Sequence, residues 1–330
     1  MKRYFFIHAE TSIPKCFATK LLIMIILCLI SVGLTAMGGS EVTEDNGKKN
    51  IAVTFDAMKE LTEAVAGGKV NISVIIPPGM EPHDFEPKAK DLLFLSKADA
   101  VVYNGLGMEF WLERALNAVN NKKLIKIEAS KGVDVIKSGH NHEECDCGLE
   151  HGDGHEHCHH GEFDPHIWLS LSSAKIMVKN IADGLCFADK KNADFYKANA
   201  EKYIAELDFI LKEYTEKFAK IKNKHFVTGH AAFAYLCRDF NLKQEAVTGI
   251  FAEGEPNAKK LAELVEYCRE NNVKVIFSEE LANPEISRTL AKEINAKIEK
   301  IYTIESFEDG LSYLDRMKAN IKKICENLSK

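Results

Sequence analysis

The sequence predicts an α/β protein built as two Rossmann-like lobes, each a parallel sheet covered by helices, joined by one long rigid helix. Three observations predict it. Short β-branched runs alternate with amphipathic stretches from Ile51 onward. The alternation is interrupted and then resumes after His230. Between the two blocks, from Ala193 to Ile221, the chain contains neither glycine nor proline.

In the first block the apolar runs predict strands at 51–53, 70–76, 100–103 and 124–127, with helices at 57–66, 88–96 and 108–119 between them. The interruption is itself a helix. Tyr203, Ile204, Leu207, Ile210, Leu211, Tyr214, Phe218 and Ile221 recur at the three-and-four spacing of one apolar face, and Asn192 stands where an N-cap is wanted. A helix of that length is a rod of roughly 45 Å. It spans both lobes and predicts limited motion between them, since a hinge would use short glycine-rich crossovers. In the second block, strands are expected at 244–247, 273–277 and 298–302, with helices at 258–270, 284–294 and 311–328.

The N-terminus is of another kind. Lys2, Arg3, Lys15 and Lys20 precede an apolar run from Leu21 to Ala36. A basic region followed by a hydrophobic one reads as a secretory signal peptide, and this run is shorter than the ~20 residues of a membrane-spanning helix. The expected partition is a signal peptide over 1–36, a polar tether over 37–49, an N-terminal lobe over 50–190, a linking helix over 191–222 and a C-terminal lobe over 223–330. A retained apolar anchor is the alternative to cleavage. No cysteine follows the run in the position a lipid anchor requires. The whole chain carries a formal charge of −6; losing residues 1–36 removes a net +3 and leaves −9. That sign argues against nucleic acid as a partner. Once the signal and a ligand-rich tract are set aside, Cys186, Cys237, Cys268 and Cys325 remain. Export permits disulfides among them, and buried free thiols are the other reading.

The tract from His140 to His160 holds seven histidines, three cysteines and six acidic residues, with no lysine or arginine. Imidazole and thiolate are the ligands that zinc and its neighbours prefer. Glycines at 148, 152 and 154 space these ligands. His140, His142, His151, His155, His157, His159 and His160 are therefore expected to bind ions weakly, apart from any rigid site.

Three other histidines lie in tight contexts: His83 in PPGMEPHDFEP, His166 in DPHIW and His230 in VTGHAAF. His83 and His230 directly follow expected strands, and open α/β sheets bind ligands beyond the carboxyl ends of their strands. Prolines beside His83 and His166 stiffen those loops. Taken together they point to a metal site in the cleft between lobes. His225 precedes its strand among lysines and is read as structural.

At this point the chain resembles the metal-binding solute-binding proteins of ABC importers, the zinc- and manganese-specific class whose lobes are joined by one long helix. The resemblance runs from about residue 50 to 327. It rests on PPGMEPHDFEPKAKDLLFLSKADAVVYNGLGMEFWLE, EFDPHIWLS, VTGHAAFAYLCRDFNL and GLSYLDRMKANIKKI. It implies that His83, His166 and His230 are metal ligands, and the histidine-rich insertion and third imidazole point to the zinc-specific, ZnuA-like members. It also implies a fourth ligand, either water or a carboxylate from the C-terminal lobe. Glu305, after the last strand, is the choice, with Glu279 and Glu280 as competitors. Asp164 and Asp84 are read as groups that support the ligands or cap their loops.

The implied function is a non-enzymatic, extracytoplasmic receptor that passes Zn2+ to a membrane permease of an ABC importer and acts as a monomer. The alternatives are a manganese-binding receptor or adhesin of the same family, and a zinc-dependent hydrolase. Against the hydrolase, the sequence has no HExxH and no short spacing between the three histidines.

Overall fold

The computed structural model describes residues 47–138, 161–250, 257–279, 281 and 284–330. The expected signal peptide, most of the tether, the seven tract histidines and Glu280 lie outside the described residues. From Lys48 onward the chain is one compact unit.

Its first half alternates as expected: β1 (Asn50–Val53), α1 (Asp56–Ala66), β2 (Asn71–Val74), α2 (Ala89–Lys97), β3 (Ala100–Tyr103), α3 (Leu112–Val119) and β4 (Ile125–Glu128). The strands form a parallel sheet ordered β2-β1-β3-β4. The second half repeats the plan with β5 (His225–His230), α6 (Ala234–Phe240), β6 (Lys243–Thr248), α7 (Ala258–Glu270), β7 (Val275–Ser278), α8 (Pro284–Glu293), β8 (Lys297–Lys300) and α9 (Tyr313–Leu328). Its sheet is parallel too, ordered β6-β5-β7-β8. Central strands are apolar along their length because helices cover both faces. Ala52, Val53, Val101 and Val102 are fully buried in one sheet, as are Val227, Ile276 and Phe277 in the other. In each lobe the strand order reverses beside its first strand, which opens a crevice at the carboxyl edge.

Between the halves lie α4 (Leu171–Ala188) and α5 (Ala193–Ala219). The 27 residues of α5 make a rod of about 40 Å. Its buried residues Tyr196, Ala200, Leu207, Ile210 and Phe218 lie on one face. Two local features go beyond the sequence reading. Asn192 occupies the N-cap position of α5, but its side chain makes no cap; its amide donates to Asp189 Oδ2 at 2.7 Å within a short 3-10 turn. Helix α4 is a further element, started by Ser170, whose hydroxyl accepts the Ser173 N–H at 3.0 Å. Strand β5 also reaches past both of its expected ends, pairing with β6 along its whole length. His225 is its first residue and His230 its last.

One apolar core runs from β1 and α1 through α4 and α5 into Phe226, Phe277, Ile301, Ile304 and the inner face of α9. A second, smaller cluster packs α7 and α8 on the far face of the C-terminal sheet. The lobes thus share apolar contacts along the helix that joins them. They also share buried polar ones. Arg316 of α9, fully buried, donates to Asp56 of α1 at 2.5 Å and to the Ser306 carbonyl at 2.8 Å. The Tyr313 N–H reaches Glu60 of α1 at 3.0 Å. Cys186, Cys237, Cys268 and Cys325 are free thiols, all but Cys186 buried. Among the described residues no helix is long and apolar enough to cross a membrane.

The face that α5 buries can be checked by truncation. Leu207→Ala removes a fully buried side chain and should cost about 2–5 kcal/mol in denaturant unfolding. Phe209→Ala, two residues on and 71% exposed, should stay within about 0.5 kcal/mol. Equal losses would mean that the helix packs by another face.

Candidate metal centre

His83 sits in the loop between β2 and α2, a run of turns that four prolines stiffen. Phe85 anchors that loop against Trp111, ring centroids 5.2 Å apart. At its start Gly79 adopts φ +80, a left-handed conformation that glycine takes without strain. There its N–H reaches Ser306 Oγ at 2.7 Å, so the His83 loop is tied to the C-terminal lobe.

His166 lies in the segment between β4 and α4. The Asp164 carbonyl accepts the Tyr235 hydroxyl at 2.7 Å, and the Pro165 carbonyl accepts the Asn104 amide at 2.9 Å. After it, Trp168 packs on Phe55 and donates Nε1–H to the Thr303 carbonyl at 2.7 Å. Asp164 Oδ1 accepts the His166 backbone N–H at 2.9 Å and stands 2.8 Å from His166 Nδ1.

His230 closes β5. Its N–H and that of Gly229 donate to the two oxygens of Glu279 at 3.1 and 3.0 Å. Its carbonyl accepts the Thr228 hydroxyl and the Gln244 amide. Glu305 follows β8, immediately after Ile304, a buried β-branched residue at φ 60. Such a conformation costs about 1–3 kcal/mol and persists only where its surroundings enforce it. Here the Asp56 N–H holds the Glu305 carbonyl at 3.4 Å. The Thr303 hydroxyl holds Glu305 Oε2 at 2.8 Å.

These four segments meet at one point. His83 Nε2 and His230 Nε2 lie 3.2 and 3.1 Å from His166 Nε2, and Glu305 Oε1 lies 3.7 Å from it. One donor atom from each residue falls within 4.8 Å of every other, and all four residues are buried. In a tetrahedron with metal–nitrogen bonds of about 2.0–2.1 Å, the nitrogens stand about 3.3–3.4 Å apart. The two measured edges are close to that.

The electrostatics agree. Burial holds His166 and His230 down to about 3, and the neighbouring imidazole adds to the effect at His230. His83 is pushed well below the ordinary range by burial and by the other two rings. All three are neutral at neutral pH. The Asp164–His166 contact is therefore a hydrogen bond rather than an ion pair. An Nδ1–H donated to Asp164 leaves Nε2 as the donor atom facing the cluster. Burial pushes Asp164 itself up to about 7, against the hydrogen bond from the His166 backbone. His230 Nε2 also stands 3.1 Å from the Ile250 carbonyl, an acceptor only, so this nitrogen offers its lone pair to a metal when the ring proton is on Nδ1.

Of the residues singled out from sequence, the structure brings together His83, His166, His230 and Glu305. Glu279 instead clamps the His230 backbone, and Asp84 is exposed. Two supporting groups were not anticipated. Thr303 engages Glu305. Glu109, buried within an apolar run, accepts from Thr54 Oγ1 at 2.7 Å and from the Asn104 and Gly105 N–H groups at 2.8 and 3.0 Å. It fixes the loop that supports Pro165. No sequence pattern marks Thr303; a lone carboxylate in NGLGMEFW was the available signal for Glu109.

Two α/β lobes on one connecting helix, with buried imidazoles converging between them, make the architecture of a cleft-binding solute receptor. The family model for zinc-uptake complex component A, periplasmic, matches residues 51–327, and the chain belongs to that family. A putative metal-binding protein of Treponema pallidum is 44% identical over 287 residues, covering 86% of this chain and 88% of that one. The high-affinity zinc uptake system protein ZnuA of Bacillus subtilis is 36% identical over 314 residues, covering 93% and 97%. Among solved structures, the Zn(II)-bound ZnuA-like domain of Streptococcus pneumoniae AdcA superposes with a TM-score of 0.70 at 34% identity, over 86% of this chain and all of that domain.

The buried imidazoles give the metal-free protein a signed pH dependence. Their folded values lie below the unfolded value of about 6.5, so below that pH the unfolded chain takes up protons that the folded one does not. Stability should fall as the pH drops from about 6.5 towards 4. Asp164, Glu109 and Asp56, all raised by burial, work in the opposite sense, so the imidazole share is read as the difference between the parent protein and a variant lacking one ring. Thermal unfolding of metal-free protein across this range should show the loss, and His230→Gln should flatten it. An unchanged slope in that variant would remove the imidazoles as its source.

Proposed function

We propose that this chain is an extracytoplasmic receptor that captures one Zn2+ ion with His83, His166, His230 and Glu305 and yields it to the permease of an ABC importer. The observation that carries the reading is the convergence of three imidazole nitrogens and one carboxylate oxygen in a buried site between the lobes. Three nitrogens and one oxygen at tetrahedral spacing suit zinc. Manganese favours more oxygen and a larger shell, which argues for zinc within this family. A hydrolytic zinc keeps an open position for water. Glu305 fills that position, which supports a receptor over an enzyme.

The same reading assigns 1–36 to export, 37–49 to a tether, 50–190 and 223–330 to the two lobes, and 191–222 to the helix between them. The receptor acts as a monomer beside its permease. The histidine-rich tract then serves as a set of weaker sites beside the tight one. Its stem is closed: Ser138 donates through its N–H to the Glu162 carbonyl at 3.0 Å and through its hydroxyl to the Gly161 carbonyl at 3.0 Å.

Competition against a chromophoric chelator tests the ligand set. His83→Ala and His230→Ala should each weaken zinc binding by two or more orders of magnitude while the protein stays folded. Glu305→Gln should weaken it less, since water can take the vacant position. Unchanged tight binding in both histidine variants would refute the assignment.

Deleting 140–160 should leave one tight zinc per chain and remove only weaker equivalents, because flexible ligands must be ordered on binding and the cleft ligands are already placed. Metal analysis of protein purified without an affinity tag reads this directly. Loss of the tight ion on deletion would show that the tract is part of the site.

A further inference from the structure

We propose that Thr303 sets the metal selectivity of this centre by restricting Glu305 to one donor oxygen. The inference rests on the reading of Glu305 as a ligand and specifies how it binds. The Thr303 hydroxyl donates to Glu305 Oε2 at 2.8 Å, while Oε1 is the oxygen 3.7 Å from His166 Nε2. Thr303 is 1% exposed and Glu305 3%, so bulk water does not compete for this bond. An ion that takes both oxygens competes for Oε2 with a buried hydroxyl that already occupies one of its lone pairs, and a hydrogen bond to a charged group is among the stronger ones.

The main chain around the carboxylate is held without this hydroxyl. The Thr303 carbonyl accepts Trp168 Nε1–H at 2.7 Å, and the Ser306 carbonyl accepts Arg316 Nη1–H at 2.8 Å. Ser306 Oγ accepts the Gly79 N–H at 2.7 Å. What the hydroxyl governs is therefore the rotation of the carboxylate. With one oxygen, Glu305 completes a four-coordinate shell, the geometry zinc takes readily. With two, the shell rises to five and gains an oxygen, a change that favours manganese, a harder ion bound best by oxygen in larger shells.

The test uses the full chain with Thr303→Val, which keeps the shape and removes the hydroxyl, and Thr303→Ser, which retains it. Cobalt(II) substituted at the site reports coordination number through its visible bands, which are strong for four ligands and weaker for five. Thr303→Val should weaken those bands and raise the manganese-to-zinc affinity ratio on the order of tenfold. Thr303→Ser should restore both. The proposal is overturned if Thr303→Val keeps the parent spectrum and ratio, or if Thr303→Ser shifts them as far as valine does. Failure of the underlying reading looks different: Glu305→Gln would then leave both the cobalt spectrum and the zinc affinity as they were. Should Thr303→Val not fold, zinc K-edge absorption on the unaltered protein decides. Four light ligands support the proposal, and a five-coordinate zinc overturns it.

Discussion

Three uncharged imidazoles are held in a buried place with the Nε2 atoms of His83 and His230 little more than 3 Å from that of His166, and much of the surrounding structure serves that arrangement. Each ring is denied its proton by burial, and converging lone pairs repel one another unless a proton or a cation stands between them. Such a cluster does not form from loose loops. Every ligand is therefore backed by a second group that fixes its main chain or its ring. Asp164 holds His166, Glu279 holds the end of β5, and the Gly79–Ser306 bond steadies the loop of His83. The arrangement is pre-organised for a cation, which the converging nitrogens can bind without further movement of their main chain.

Glu305 shows how the two lobes share this task. By sequence it belongs to the C-terminal sheet, leaving β8. By its bonds it belongs largely to the other lobe: Trp168 holds the residue two before it, Asp56 holds its own carbonyl, and Gly79 holds the residue after it. The Arg316–Asp56 pair closes the same seam. Its burial is costly for both charges and is tolerated because each has its partner; removing one alone leaves an uncompensated charge, an effect of about 3–5 kcal/mol in comparable buried pairs. The fourth donor is thus anchored where the histidines at 83 and 166 are anchored. His230, held by Glu279 and Gln244 within the C-terminal sheet, is the donor least tied to the N-terminal lobe.

Much of this was legible in the sequence. The alternation of β-branched and amphipathic runs places both sheets, and the glycine-free interval places the connecting helix within two residues at its C-terminal end. The three histidines announce themselves through proline-stiffened loops and strand ends. Other features were not legible, for physical reasons. Helix α4 buries Leu171, Ala174, Met177, Val178, Ile181 and Leu185, yet starts in a serine-rich stretch and carries Gly184. That glycine is there for packing, since a Cβ would stand 2.6 Å from the Ile127 side chain, and in sequence it reads as a break. Asn192 looks like a cap because asparagine caps helices, but Asp189 competes for its amide. Glu279 acts on the end of β5, far away in sequence, and no local pattern encodes that contact; Thr303 acts on Glu305 only two residues on, but that spacing carries no recognised turn or cap signature.

The repetition of strand order in the two lobes explains why the site forms at this seam. Each sheet opens a crevice at its carboxyl edge, and each supplies two donors there: His83 and His166 from one, His230 and Glu305 from the other. Each crevice also carries a buried carboxylate that binds main-chain N–H groups at a strand end, Glu109 beside β3 and Glu279 beside β5. Those carboxylates are spent on the backbone and are not turned to the metal. A site with all three carboxylates facing inward would present more oxygen and more negative charge, and would suit a harder ion. With two of them bound to the backbone and one facing the imidazoles, the fold presents a nitrogen-rich cluster of low charge, the kind of donor set that suits zinc.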